Sequence, residues 1–354
     1  MEHFASILDT TRHLATPFLA IDQPAMTRNI SRVQAECDGA GIALRPHIKT
    51  HKSVEIARRQ LEAGAVGVTC ATLSEAVALG EAGCATDVYV STPIHLDGPK
   101  VVLLARAAEL HARVTLTADG TAIAVSVTRA APPGVGVMVE VDCGLRRTGA
   151  APDEVAGIVE LLGDRFRGFA THGGHGYLPG GAEAAGRDER AALAAAQAEI
   201  GGQAPVLSAG STPTAPHALG PPVTELRPGT YVFGDHQQFV LGACRDVELA
   251  AVIVSSVIHV SADRFVIDAG AKALSKDRAG WLESYGSIVG HGDAVIDRLN
   301  DNHGMVEGGA RLSVGDRVMV VPNHICPAVN LFDEIVLVGD GTQSLPIELR
   351  GRVT

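Results

Sequence analysis

Four short stretches carry residue types that could do chemistry. The first is Arg45-Pro46-His47-Ile48-Lys49-Thr50-His51-Lys52, at the end of a short apolar run. An amine partly withdrawn from water and set among other cations loses basicity and becomes a nucleophile near neutral pH, which makes Lys49 a Schiff-base candidate. The same composition also describes a basic surface loop. The second is Ser208-Ala209-Gly210-Ser211-Thr212-Pro213-Thr214. Gly210 lets the backbone approach an anion, and Ser211 and Thr212 offer hydroxyl and N–H donors, although a strand followed by a Gly-Ser turn is common. The third is Pro322-Asn323-His324-Ile325-Cys326-Pro327. If the preceding strand continues, His324 and Cys326 share one face and can reach one ion. An imidazole nitrogen and a thiolate suit zinc, but a bare His-x-Cys is a weak motif. A fourth stretch, Thr171-His172-Gly173-Gly174-His175-Gly176-Tyr177, reads as a tight loop lining a pocket, or as a solvated surface loop.

The elements that must position these residues follow two textures. Short apolar strands are expected over residues 18–21, 43–46, 67–70, 87–90, 113–117, 136–141, 166–171, 206–209 and 231–233. Between them lie Ala-rich stretches of helical period, such as 54–63, 73–82, 101–110, 152–162 and 182–200, with Thr72 and Ser74 placed as N-caps. Strand–helix alternation predicts parallel strands with crossover helices, and eight units fit a (β/α)8 TIM-type barrel over residues 17–240. A doubly wound sheet would need a Gly-rich turn after the first strand, where Asp22-Gln23-Pro24 stands instead. From residue 241 to 354, β-branched runs at 247–259, 264–268, 287–290, 317–321 and 334–338 are separated by Gly-Asp turns. They predict a mostly antiparallel β domain that also takes in residues 1–16.

Bulk properties exclude several classes. The 354 residues are 46% hydrophobic and 19% charged, an ordinary globular composition. A formal charge of -11 disfavours nucleic acid and anionic membrane as partners. No apolar run approaches the roughly 20 residues of a membrane span. The first residues lack the basic and apolar pattern of a secretory signal, and the six cysteines form no CxxC pair. Together these predict a cytoplasmic protein with reduced thiols.

The stretch from Arg45 to Lys52 closely resembles the Arg-Pro-His-x-Lys-Thr-His-Lys signature of the D-serine dehydratase and D-threonine aldolase group. Those are pyridoxal 5'-phosphate (PLP) enzymes with an alanine-racemase-like barrel. The resemblance runs from Thr16 to about Val338. It implies that Lys49 binds PLP, that Gly210, Ser211 and Thr212 hold its phosphate, and that Gly229 and Tyr231 of Arg227-Pro228-Gly229-Thr230-Tyr231 complete the cup. Asp142-Cys143-Gly144-Leu145-Arg146-Arg147-Thr148-Gly149 places Arg147 at the phenolic oxygen and leaves Arg146 as a surface charge. His172 and Tyr177 join the cofactor set, Tyr177 at the pyridine nitrogen. His324 and Cys326 become the ligands of a divalent metal. Cys326 favours zinc and the dehydratase branch; the aldolase branch usually has Asp there, suiting manganese or magnesium. His303 stands with Lys49 in the catalytic set, although Asn302 replaces the usual acid of a Glu-His-Gly string. Lys272, in wording that also matches the family, reads as structural or interfacial. The implied partners are a small D-amino acid and a second copy of the chain in a homodimer. The implied reaction is β-elimination from a 3-hydroxy-D-amino acid to a 2-oxo acid and ammonia, with retro-aldol cleavage to glycine and an aldehyde as the alternative. An amino-acid racemase and a non-catalytic PLP carrier are the rival readings.

Overall fold

The structure, a computed structural model, describes residues 2–84, 86–308 and 312–354. Its contacts divide the chain into two compact units. One gathers the chain up to Ser31 with Thr50–Ser53 and Thr230–Arg350; the other gathers Arg32–Lys49, Val54–Gly229 and Gly351–Thr354.

The second of these is the barrel. Eight parallel strands run in the order Ala43–Leu44, Glu225–Leu226, Val206–Ala209, Phe166–Ala170, Gly136–Glu140, Arg113–Ala118, Asp87–Pro93 and Val68–Cys70. The two ends of this row meet. Val66 N–H donates to the Leu44 carbonyl, Thr69 N–H to that of Pro46, and His47 bridges Thr69 in parallel. Helices such as Leu73–Glu81, Gly98–Leu110 and Ala182–Glu199 connect successive strands. The Leu73–Glu81 helix starts as its sequence requires, with Thr72 Oγ1 accepting the Glu75 N–H at 3.2 Å.

Side chains alternate along each barrel strand. Val88, Val90, Val137, Val139 and Phe169 are fully buried in the shell between strands and helices. The inward set is different. Tyr89, Met138 and Ala170 make a thin apolar layer with Val206 packed on it. Two positions later in their strands stand Glu140 and Ser208, on the side where the strands end. Two positions earlier stand Asp87 and Gly136, at the strand starts.

In the other unit, Phe18–Asp22 pairs antiparallel with Ala251–Val260 and parallel with Glu334–Val338. Ala251–Val260 also pairs antiparallel with Arg264–Ile267 and Arg317–Val321. Phe4, Ile7, Phe18, Val252, Val254, Met319, Val321 and Val336 form its core.

Three readings from sequence are corrected here. Phe18–Asp22 is a strand, but of the antiparallel sheet rather than the barrel. Residues 231–233, read as the last barrel strand, belong to a 3-10 turn, Thr230–Val232, and its continuation. Tyr231 and Phe233 are buried, and burial alone had produced the apolar run. The actual strand, Glu225–Leu226, is two residues long and begins with a buried carboxylate, so no apolar alternation marked it. Strands Val295–Leu299, Gly304–Glu307 and Thr342–Pro346 were not expected either.

Candidate active site

The sequence candidates of the barrel unit gather at the ends of its strands, where barrel loops carry chemistry. Lys49 sits in a 3-10 turn, Ile48–Thr50, following the strand Ala43–Leu44. Its backbone N–H donates to His47 Nδ1 at 3.4 Å. Ser91 Oγ lies 3.2 Å from His47 Nε2, which fixes the plane of the buried ring. His172 follows the strand Phe166–Ala170, and half-buried Tyr177 ends the 3-10 turn Gly174–Tyr177. Arg147 is more exposed and lies 3.9 Å from Glu140, whose other oxygen accepts the Thr148 hydroxyl at 2.9 Å.

Electrostatics tie these residues together. Burial, followed by the charges of Lys49, Arg227 and His172, holds His47 well below the usual imidazole range. Burial, then Lys49, Arg147 and Arg227, does the same to His172. Both rings are therefore neutral near pH 7, in a neighbourhood where the fixed charges are positive. Arg227 is the element that sequence reading left without a role. It is buried, donates to the Ser208 hydroxyl and to the Thr171 carbonyl (2.7 Å for the latter), and lies 5.5 Å over the Tyr89 ring. Glu225 accepts the Ser208 hydroxyl at 2.6 Å, so the guanidinium is held through a hydroxyl relay.

The Gly-Ser-Thr loop is shaped before any ligand arrives. Gly210 has φ +92, and a Cβ there would come within 2.8 Å of the Leu226 side chain. Ser211 N–H donates to Thr214 Oγ1 at 2.9 Å, and Ser211, Thr212 and Thr214 are all buried. Gly229, also buried, follows Pro228, whose carbonyl accepts the His47 N–H at 3.0 Å. Tyr231 falls in the other unit, in the turn Thr230–Val232.

A residue missed in sequence organises two of these loops. Glu189, fully buried on the helix Ala182–Glu199, accepts N–H groups from Gly173 at 2.8 Å and Gly210 at 2.9 Å. Burial pushes its carboxyl up, and the two backbone donors act against that. A signal was available: Ala185, Gly186, Ala192, Leu193 and Ala196 mark the buried face, and Glu189 lies on it.

These residues fit PLP. Buried hydroxyls at a tight glycine loop, a lysine, two arginines and two neutral imidazoles make a donor set for an anionic, phosphorylated ring.

In the other unit, the strand-face argument for His324 and Cys326 fails, yet the two side chains still meet. The strand ends at Val321; His324 is the N-cap residue of the short helix Ile325–Val329, and Cys326 lies in its first turn. Asp235 sets this geometry. It is fully buried, with one oxygen accepting Gln238 N–H at 2.8 Å and the other accepting Ile325 N–H, between the two candidate ligands, at 3.1 Å. Burial pushes its carboxyl up to about 6. Asp277 Oδ2 holds His324 Nδ1 at 2.6 Å, which leaves Nε2 for a ligand. Thr50 Oγ1, from the residue after Lys49 in the chain, lies 3.3 Å from Cys326 Sγ.

Burial opposes charge on His324, but Cys326, Asp277 and Asp235 outweigh it and push the imidazolium up to about 11. The imidazole nitrogen and the sulfur of this pair are donors that suit zinc. His324 and Cys326 thus fit a divalent metal. Among the described residues no group of three or more His, Cys, Asp or Glu is clustered to hold one. His303 lies elsewhere in this unit, exposed in the turn between Val295–Leu299 and Gly304–Glu307, with its carbonyl accepting the Asn300 N–H at 2.9 Å. Lys272 forms an ion pair with Asp301 at 3.1 Å. No helix among the described residues is long and apolar enough to cross a membrane.

The chain resembles known proteins over nearly its whole length. Residues 21–237 match the family described as "Alanine racemase, N-terminal domain", and residues 250–338 that described as "Putative serine dehydratase domain". The chain is 34% identical to D-threo-3-hydroxyaspartate dehydratase of Delftia sp. (strain HT23), over 90% of this chain and 92% of that one. It is 32% identical to D-threonine aldolase of an Arthrobacter sp., over 94% and 91% respectively. Among solved structures, a Cys-to-Ala variant of D-threo-3-hydroxyaspartate dehydratase in the metal-free form superposes with a TM-score of 0.84 at 30% identity, covering 96% of this chain and 98% of that one. The two matched domains, the barrel with its lysine loop and the near full-length likeness to such lyases lead to one conclusion: the chain belongs to the D-serine dehydratase and D-threonine aldolase family of PLP-dependent enzymes with an alanine-racemase-like fold.

Proposed function

We propose that this enzyme is a PLP- and divalent-metal-dependent lyase of 3-hydroxy-D-amino acids, and that it catalyses β-elimination to a 2-oxo acid and ammonia. The observation that carries the reading is the His324–Cys326 pair with Asp277 on the imidazole and Thr50 on the thiol. It is a soft two-ligand set with positions left for water and substrate, as a catalytic metal needs. The similar dehydratase, whose metal-free form carries a Cys-to-Ala change, supports it. The 32% identity to a D-threonine aldolase supports retro-aldol cleavage as the second reading.

In this reading Lys49, Arg147, His172, Tyr177, Gly210, Ser211, Thr212, Gly229 and Tyr231 hold PLP, and His324 and Cys326 hold the metal. When bound, PLP supplies an electron sink for chemistry at Cα and the metal a Lewis acid for the β-hydroxyl. Lys49 Nζ accepts the proton that leaves Cα. His47 and His172 stay neutral, so neither adds a positive charge beside Lys49. Glu189 holds the phosphate loop and the His172 loop in register through two backbone N–H groups. Asp277 presents one nitrogen of His324 and keeps the proton on the other. A homodimer and a cytoplasmic location belong to the same reading, and equilibrium sedimentation tests the former.

The test is a product analysis. Purified enzyme is incubated with D-serine, D-threonine and 3-hydroxy-D-aspartate, with and without chelator. From D-threonine, 2-oxobutanoate and ammonia are expected. Glycine and acetaldehyde would move the assignment to aldol cleavage. Metal-independent loss of the Cα configuration would move it to racemisation.

A further inference from the structure

We propose that the mouth of the barrel at the start of its strands, opposite the loops that carry Lys49, binds a small oxyanion. A cavity of about 190 Å³ opens there. Arg45, Asp87, Arg113, Arg167 and Glu225 line its polar part, and Tyr89 and Met138 of the interior apolar layer close its floor. Arg45 belongs to the lysine signature in sequence, yet its side chain turns to this opposite end.

The charge count favours an anion. Three guanidinium groups face two carboxylates, and all four carboxylate oxygens are engaged. Arg45 binds Asp87 Oδ1 at 2.9 Å and Glu225 Oε2 at 2.7 Å. Arg113 takes Asp87 Oδ2 at 2.9 Å, and the Ser208 hydroxyl takes Glu225 Oε1 at 2.6 Å. Arg167 brings a charge with no carboxylate partner among the described residues. Its Nη1 donates only to the carbonyls of Asp164 and Phe166, at 2.7 and 2.9 Å. Its stem crosses the mouth over Gly136, where a Cβ would come within 2.6 Å of Arg167 Cγ. Arg113 spends only Nε on the protein, so the outer nitrogens of two arginines remain as donors beside the cavity. Planar guanidinium forks of this kind match the paired oxygens of a carboxylate or a phosphate. In a chain of formal charge -11, a net-positive pocket walled by protein is also where an anion is electrostatically focused. The ligand class is a small dianion, phosphorylated or dicarboxylic.

The holoenzyme, saturated with PLP, is titrated at low ionic strength with phosphate and separately with succinate, against chloride at matched ionic strength. Thermal melting and calorimetry are read together. At ten times Kd either dianion should raise Tm by about 2 °C relative to chloride. The tighter of the two identifies the source as phosphorylated or dicarboxylic. The Arg113→Gln and Arg167→Gln variants should each weaken binding at least about tenfold and leave turnover of the D-amino acid unchanged. Arg113 is largely exposed, so its variant keeps the fold even if Arg167→Gln does not. No response beyond chloride, or unchanged binding in Arg113→Gln, overturns the proposal.

Discussion

His47 and His172 show how single side chains are conditioned by Lys49. Each is an imidazole kept neutral by burial and by neighbouring cations, so positive charge at this end of the barrel resides on lysine and arginine. Replacing Lys49 with Ala is expected to remove turnover, by at least about a thousandfold, and to abolish borohydride-fixed PLP on the peptide that contains it. Labelling of another lysine would refute the assignment. The metal pair makes a second prediction. Cys326→Ala should lose bound metal and turnover and still be labelled at Lys49. Asp277→Asn should cost about 10- to 100-fold in metal affinity, because the imidazole loses its orienting carboxylate. Metal content by elemental analysis checks both; a Cys326→Ala enzyme fully active in chelator would sink the metal reading.

At the scale of elements, one helix residue governs two loops. The helix Ala182–Glu199 packs an apolar face on the barrel and inserts Glu189 into it, and the same carboxylate oxygen accepts from the loops after two neighbouring strands. Glu189→Ala leaves two buried N–H groups without an acceptor, at a cost of about 2–4 kcal/mol. PLP affinity should fall with it. Glu189→Gln keeps one acceptor oxygen and should restore most of that affinity, which separates loop positioning from a need for charge. Equal PLP affinity in all three proteins would remove Glu189 from the site. Asp235 plays the same part for the turn between His324 and Cys326, where the strand has already ended at Val321.

For the whole molecule, the buried histidines couple folding to pH. In the unfolded chain they take protons near pH 6.5; in the fold they do so only at lower pH. Below about pH 6.5 the unfolded chain therefore binds more protons, and stability falls as pH drops, whereas above that value these two groups contribute no slope. Burial raises Asp235, to about 6, and also Glu140 and Glu189, which makes the fold hold protons more readily and partly offsets this trend as the pH falls. The expected result is a Tm that declines from pH 7 to 5.5 and a shallower decline in His47→Gln. An unchanged slope in that variant would show that His47 does not carry the effect.

Local structure written in contiguous residues was legible in the sequence. The lysine string, the Gly-Ser-Thr loop and the strand–helix alternation each place their residues within a few positions, and the barrel strand Val206–Ala209 was placed to the residue. The pairing of His324 with Cys326 was also legible, although for a reason that proved wrong. Residues brought in from far along the chain were not. Glu189 reaches loops 16 and 21 positions away, Asp235 reaches a turn 90 positions away, and Arg45 pairs across 42 and 180 positions. Nor could the sequence place Phe18–Asp22, because an apolar strand carries no mark of which sheet completes its hydrogen bonds. Periodicity and spacing report what one element needs, whereas a buried carboxylate's partner is set by which loops the closed barrel and the antiparallel sheet bring to it.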